Sequence, residues 1–322
     1  MRRREFIALM GASLASPFAA RAQQAGRTYR LGGVAVGPRT ALYFVPMFDE
    51  LRRLAFIEGQ NLTIDWRAYG PRVDLIPEFV AGLVKAQVDV IYATGDLAIR
   101  AAQRATTTIP ILGATEDMVG SGLVNSLAHP GGNTTGLSVL ATELDGKRQE
   151  ILIEAVPGIR RMAAIADTNT IAAAQFQALQ YAARARGVEL SIHRITRPEE
   201  IPTAIDAAKA SDAAALNVLE SPIFYGNRQT IMQSVAALRL PAIYSFPEEA
   251  EEGGFAAYGP RLFHMYELMA PQLVKLLRGA KPADLPVEQP TKFELWINLK
   301  TANAIDVTVP AALLVRADKV IE

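Results

Sequence analysis

Four short stretches carry the side chains best suited to chemistry. Thr94-Gly95-Asp96, Thr115-Glu116-Asp117, Asp167-Thr168-Asn169 and Glu220-Ser221-Pro222 each place a carboxylate beside a hydroxyl or amide where a hydrophobic run stops. A carboxylate there can hydrogen-bond the amine of a bound molecule, or stand as a solvated loop charge. Gly95 would let a ligand approach free backbone N–H groups, which favour a carboxylate or another anion. Thr94 and Asp96 serve equally as helix N-caps, with or without a ligand contact. Tyr244-Ser245-Phe246-Pro247 and Tyr258-Gly259-Pro260 end two further runs. Their aromatic rings can sandwich an apolar ligand or pack under a loop.

The signatures of several enzyme classes are missing. Gly146-Lys147-Arg148 lacks the remainder of a phosphate-binding loop. Gly32-Gly33 and Gly37 do not form a dinucleotide fingerprint. Gly136-Leu137-Ser138-Val139-Leu140 lacks the last glycine of a nucleophile elbow. His129, His193 and His264 fall in no ligand spacing, and there is no cysteine, so neither a metal site nor a cofactor is expected. The chemistry is that of binding rather than catalysis, and a secreted α/β hydrolase is the weaker alternative.

The elements that position these residues alternate in type. Tyr29–Val36 reads as a strand, and 41–54 as a helix from apolar residues three to four apart. Strands are expected at 62–66, 88–93, 109–114 and 134–140, with helices at 75–85 and 96–106 and a short one at 122–127. The run VDVIYA is continuously apolar, as in a buried parallel strand. The pattern restarts near Asp145: helices at 143–156, 172–186, 198–209 and 228–238, strands at 162–166, 188–193, 213–219 and 242–245. Alternating strands and helices mean parallel sheets covered on both faces. The fold class is therefore α/β, with two doubly wound, Rossmann-like lobes. Ligands of such sheets bind beyond the carboxyl ends of the strands, so two facing lobes make a cleft that closes by a hinge. A tail helix at 262–278 and a strand at 293–299, the latter among four prolines in about thirty residues, knit the lobes together. The expected lobes are 28–142 with about 260–285, and 143–259 with about 286–322. The chain would hinge near 140–145, 257–261 and 286–292.

The N-terminus reads as an export signal. Arg2, Arg3 and Arg4 precede an apolar run from Phe6 to Ala20, and Ala20-Arg21-Ala22 fits the cleavage pattern. Residues 1–22 are thus a signal peptide, and Arg3-Arg4-x-Phe6-Ile7 also fits the twin-arginine type. The destination is a periplasm. Without those residues the chain carries three more acidic than basic side chains. That balance leaves no electrostatic footprint for nucleic acid. No later apolar stretch is long enough for stable membrane insertion.

Taken together, RRREFIALMG with ARAQQ, LAFIEGQNLTIDWR, AQVDVIYATG, ATTTIPILGAT, SGLVNSLAHPGGNTTGLS, LDGKRQEILIEAVPGIRRMA, RLPAIYSFPEEAEEGGFAAYGP and GAKPADLPVEQPTKFELWINLKTANAI resemble one family. It is the extracytoplasmic substrate-binding proteins of ABC importers, in the subgroup with tryptophan- and tyrosine-type members. The resemblance spans essentially the whole chain. It implies a type I periplasmic-binding-protein fold that closes on a small solute and delivers it, as a monomer, to an ABC permease and its ATPase. A sensory receptor with a signalling partner would share the fold. Carried over, the first-lobe ligand contacts are Arg39, Thr40, Thr94, Gly95 and Asp117. Those of the second lobe are Asp167, Asn169, Glu220, Tyr244 and Phe246. Three loops depart from the family pattern: Gly37-Pro38-Arg39-Thr40 replaces a serine-rich loop, Asp167-Thr168-Asn169-Thr170 an Asn-Pro pair, and Glu220-Ser221-Pro222 an Asp-Pro. A cleft holding Arg39, Asp117, Asp167 and Glu220 beside Tyr244 and Phe246 suits a zwitterion or a cationic, partly apolar molecule. An amino acid or related solute is the expected ligand.

Overall fold

The computed structural model describes residues 26–139, 141–169 and 173–322. The expected signal peptide at 1–22, Leu140 of the first expected hinge and Thr170 lie outside the described residues.

The first sheet has the order β2-β1-β3-β4-β5, all parallel. Its strands are β1 (Tyr29–Ala35), β2 (Leu62–Ala68), β3 (Val90–Thr94), β4 (Ile111–Thr115) and β5 (Thr134–Ser138). Helices α1 (Val45–Arg53), α2 (Ile76–Lys85) and α3 (Asp96–Ala105) connect them. Every residue of β3 is buried, as the VDVIYA run anticipates for a strand with neighbours on both sides and helices on both faces.

The chain then passes into α4 (Ala141–Ala155) and a second sheet. Strands β6 (Arg161–Asp167), β7 (Glu189–Ile195), β8 (Leu216–Val218), β9 (Ala242–Tyr244) and β10 (Ala256–Gly259) are separated by helices α5 (Ala173–Ala185), α6 (Ile201–Ala210), α7 (Pro222–Gly226), α8 (Arg228–Ala237) and α9 (Pro247–Glu251). Next, α10 (Leu262–Leu277) returns to the first unit. Its Leu262, Met265, Tyr266, Met269 and Leu273 share a core with Leu31, Phe44 and Met47. Finally β11 (Glu294–Asn298), α11 (Leu299–Ala304), α12 (Ala311–Arg316) and β12 (Lys319–Ile321) complete the second sheet, ordered β12-β11-β10-β9-β8-β6-β7. The β10–β11 pair is antiparallel, because the chain re-enters from the other unit rather than through a crossover helix.

The structure departs from the sequence reading in places. The helix expected at 122–127 is a run of turns, in which Gly122 takes φ +66° and Leu123 N–H bonds back to the Met118 carbonyl. Glycine at positive φ ends a helix rather than propagating one. Short elements escaped that reading: α7, α9, β10, α11, α12 and β12 span three to six residues each, too few for a periodic pattern.

Both sheets reverse strand order at one point, between β1 and β3 and between β6 and β8. A crevice opens at the carboxyl ends of strands where order reverses. Each is bridged by a hydrogen bond. Val36 N–H donates to Thr94 Oγ1 (3.3 Å), and Ser221 Oγ donates to an Asp167 oxygen (2.8 Å).

Candidate functional site

The two crevices face one another and enclose a single cavity. It holds about 650 Å³ of atom-free space, part of it continuous with solvent. The first unit contributes Val36, Tyr43, Phe44, Thr94, Thr115 and Glu116, the second Glu220, Ser221, Pro222, Tyr225 and Phe246, and α10 adds Tyr266 with two methionines. The lobes touch across it: Tyr43 and Tyr225 have ring centroids 5.4 Å apart, edge to face. Gly95, at φ +79°, brings the backbone at the start of α3 up to Pro222, whose Cγ would lie 3.4 Å from an added Cβ. A side chain there would be strained by the backbone angle itself.

One wall is aromatic. Tyr43 packs on Phe44 (4.5 Å) and on Tyr266 (5.4 Å), and Tyr225 meets Phe246 edge to face (5.5 Å). Phe246 is held by its backbone, since Glu249 accepts the N–H groups of Ser245 (3.1 Å) and Phe246 (2.9 Å). Burial pushes the Glu249 carboxyl up to about 8, against the pull of those N–H groups.

The other wall is acidic. Thr115 Oγ1 lies 2.5 Å from Asp96 Oδ1 and 2.6 Å from Glu116 Oε2. A hydroxyl has one proton to donate, so the second contact needs a proton on a carboxyl. Burial, then the negative charges of Glu220 and Asp96, raise the Glu116 pKa well above the usual carboxylate range. Glu220 reaches the cavity just beyond β8. Burial, opposed by Arg148 and aided by Asp145, pushes it up to about 7. Arg148 on α4 is fully buried behind it, ion-paired with Asp145 and 3.5 Å from Glu220 Oε2. Its Nε donates to the Tyr258 carbonyl (2.9 Å).

Of the residues singled out in the sequence, Thr94, Glu220 and Phe246 line the cavity. Gly95 borders it through its backbone. Asp167 is buried behind Ser221, and its oxygens accept from Ser221 Oγ, Asn169 N (2.9 Å) and Asn169 Nδ2 (2.8 Å). Those two residues shape the second crevice from behind. The others sit elsewhere. Arg39 forms a two-bond pair with Glu58 (2.6 and 2.7 Å) outside the cavity, and Thr40 is exposed. Asp117 caps a turn, accepting from Val119 N (3.2 Å) and Gly120 N (2.8 Å). The glycine that makes this turn easy draws the Asp117 side chain away, and its neighbour Glu116 takes the inward place. Tyr244 is wholly buried in the core of the second sheet, because β9 is covered on both faces. Tyr43, Phe44, Tyr225 and Tyr266 were not anticipated. They sit on helices around the cleft rather than at strand ends, where no short motif marks them. Among the described residues, no cluster of His, Asp or Glu is arranged to hold a metal ion.

The comparisons with known proteins agree with this architecture. The profile of the family described as ABC transporter substrate binding protein matches residues 47–321. A tyrosine-binding protein of Clostridioides difficile is 26% identical over 254 residues, covering 77% of this chain and 72% of that protein. A conserved domain protein from Vibrio cholerae superposes with a TM-score of 0.83 at 22% identity, covering 92% of this chain and 99% of that one. A domain from Streptococcus pneumonia, solved in complex with L-Trp, superposes with a TM-score of 0.81 at 23% identity over 91% of this chain and 100% of that one. The shared fold is that of the type I periplasmic binding proteins. With a two-lobed cleft and a family profile spanning most of its length, the chain belongs to the ABC transporter substrate-binding protein family.

Proposed function

We propose that the protein is exported through residues 1–22 to the periplasm. There it works as a monomeric receptor that captures an amino-acid-like solute, bearing an ammonium group and an apolar body. It then presents that solute to its ABC permease and ATPase. The observation that carries this reading is the pairing of Glu116 and Glu220 with the rings of Tyr43, Tyr225, Phe246 and Tyr266 around one cavity between the lobes. An ammonium is held by the carboxylates and the apolar body by the rings. In this reading Thr94, Gly95, Asp167, Asn169, Glu220 and Phe246 form or support the site, and the three chain crossings near 140–145, 257–261 and 286–292 are the hinges.

Closure then has a physical driver. Without a ligand, burial in the closed cavity raises the pKa of both glutamates and favours a proton on at least one of them. A ligand ammonium removes the penalty, so the solute stabilises the closed form more than the open one, as a population shift requires.

A thermal-shift screen of the refolded, ligand-stripped protein tests the reading. Amino acids, amines and small carboxylates are the panel. A ligand at about 100 times its Kd adds roughly 2.7 kcal/mol, a rise of several degrees. Hits confined to compounds with an ammonium group are expected. Hits confined to compounds without one would overturn the assignment.

A further inference from the structure

Both charged side chains that line the cavity among the described residues, Glu116 and Glu220, are acids, and this bears on which ammonium compounds enter. The start of α3 is the place where a ligand carboxylate would ordinarily dock, since a helix N-terminus offers free N–H groups to an anion. Here Asp96 occupies its first turn, buried and bonded to Thr115. Glu116 lies on the same hydroxyl. At the opposite crevice Asp167 takes the Ser221 hydroxyl, and Glu220 lines the cavity with Oε2 turned 3.5 Å from the buried Arg148 guanidinium. No lysine, arginine or histidine lines the cavity among the described residues. The internal residues outside that set, Leu140, Thr170, Ile171 and Ala172, carry no charge.

The cations nearby are already engaged. Arg148 is spent on Asp145, the Tyr258 carbonyl and Glu220. Arg228, at the outer mouth of the cleft, lies over the Tyr225 ring and pairs with Glu252 (2.7 Å). Arg39 is held by Glu58. A zwitterion's carboxylate would therefore be desolvated beside Asp96, Glu116 and Glu220 with no side-chain cation to receive it, which is unfavourable in a buried site. A ligand that brings only positive charge meets no such penalty.

Resting on the receptor reading above, we infer that the cavity selects a small aryl- or alkyl-ammonium compound without a carboxylate over the zwitterionic amino acid of the same skeleton. Glu220 and Glu116 receive the ammonium from opposite lobes. The aromatic wall takes the body.

Three probes that share one skeleton separate the possibilities: 2-phenylethylamine, phenylalanine and 3-phenylpropionate, titrated by calorimetry at pH 7.5. We expect the amine to bind at least about tenfold more tightly than phenylalanine, as one unfavourable buried charge contact implies, and 3-phenylpropionate not to bind. The variant Glu116→Gln is expected to weaken the amine and leave phenylalanine no weaker than before. Phenylalanine binding as tightly as the amine, or more so, would overturn the selection while leaving the receptor reading in place. Phenylalanine that weakens as pH rises from 6 to 8 would show a protonated Glu116 donating to a ligand carboxylate, and would overturn it too. Binding by none of the three would end the inference, and the wider panel would then decide the receptor reading separately.

Discussion

Glu116 and Glu220 face the same cavity from opposite lobes, and the charge of Glu220 raises the pKa of Glu116. Two carboxylates that oppose one another in a largely buried cavity are a poor arrangement for an empty closed protein. They are a good one for holding a cation, since a charge between them offsets both their lost hydration and their repulsion. The consequences can be measured at single residues.

Glu220→Gln keeps the shape of the side chain and removes its charge. The affinity for an ammonium ligand is expected to fall by at least about tenfold, within the range for deleting one partner of a buried charge pair. Asp117→Asn, which alters a turn cap outside the cavity, is expected to change it by less than about twofold, as a surface substitution does. Calorimetry on both variants, with Glu200→Ala as a control outside the cavity, reads the difference. Equal losses at Glu220 and Asp117 would put the carboxylate contact elsewhere.

The unliganded protein should lose stability as pH rises. Glu220 titrates near 4.5 when unfolded and at about 7 in the folded closed form. Between those values the folded state binds more protons than the unfolded one, so stability is full below about pH 4.5 and declines as pH climbs through 7. Glu116 and Glu249 are raised in the same direction and act with the same sign. Thermal melts from pH 5 to 8 should show a falling midpoint, with a shallower fall in Glu220→Gln. A midpoint that rises across this window would contradict the protonation states described here.

Arg148 is the structural keystone behind the acid wall. It is fully buried and joins α4 to the end of β10, where the chain crosses between lobes. Arg148→Met would leave Asp145 and Glu220 without their cation, and should destabilise the protein by about 3–5 kcal/mol. Urea unfolding measures this. The double variant Arg148→Met/Asp145→Asn is expected to recover part of the loss, whereas no recovery would assign the effect to packing alone.

Much of the architecture was legible in the sequence. Runs such as VDVIYA and the helix periodicity at 41–54 mark long elements, because burial on a helix face or in a parallel strand imposes a repeating pattern. The strand-end principle brings Thr94, Glu220 and Phe246 to the cavity wall. Beyond β4 the lining residue is Glu116 rather than Asp117, because the direction of a side chain beyond a strand end depends on the turn that follows. Tyr244 was misplaced for a related reason: it is the last strand residue, still between two layers, while the rim begins at Phe246. The aromatic residues of 43–44, Tyr225 and Tyr266 come together only through the return of α10 to the first unit. Nothing local in the sequence reports that long-range packing.

The most direct measurement is the number of protons exchanged when 2-phenylethylamine binds, from calorimetry at pH 6.5 in two buffers of different ionisation enthalpy. An ammonium received by Glu116 and Glu220 must displace the protons they hold in the empty closed cavity, so we expect net proton release that diminishes in Glu220→Gln. Binding with no proton exchange, or with proton uptake, would contradict the assignment of this acidic pair as the ammonium site.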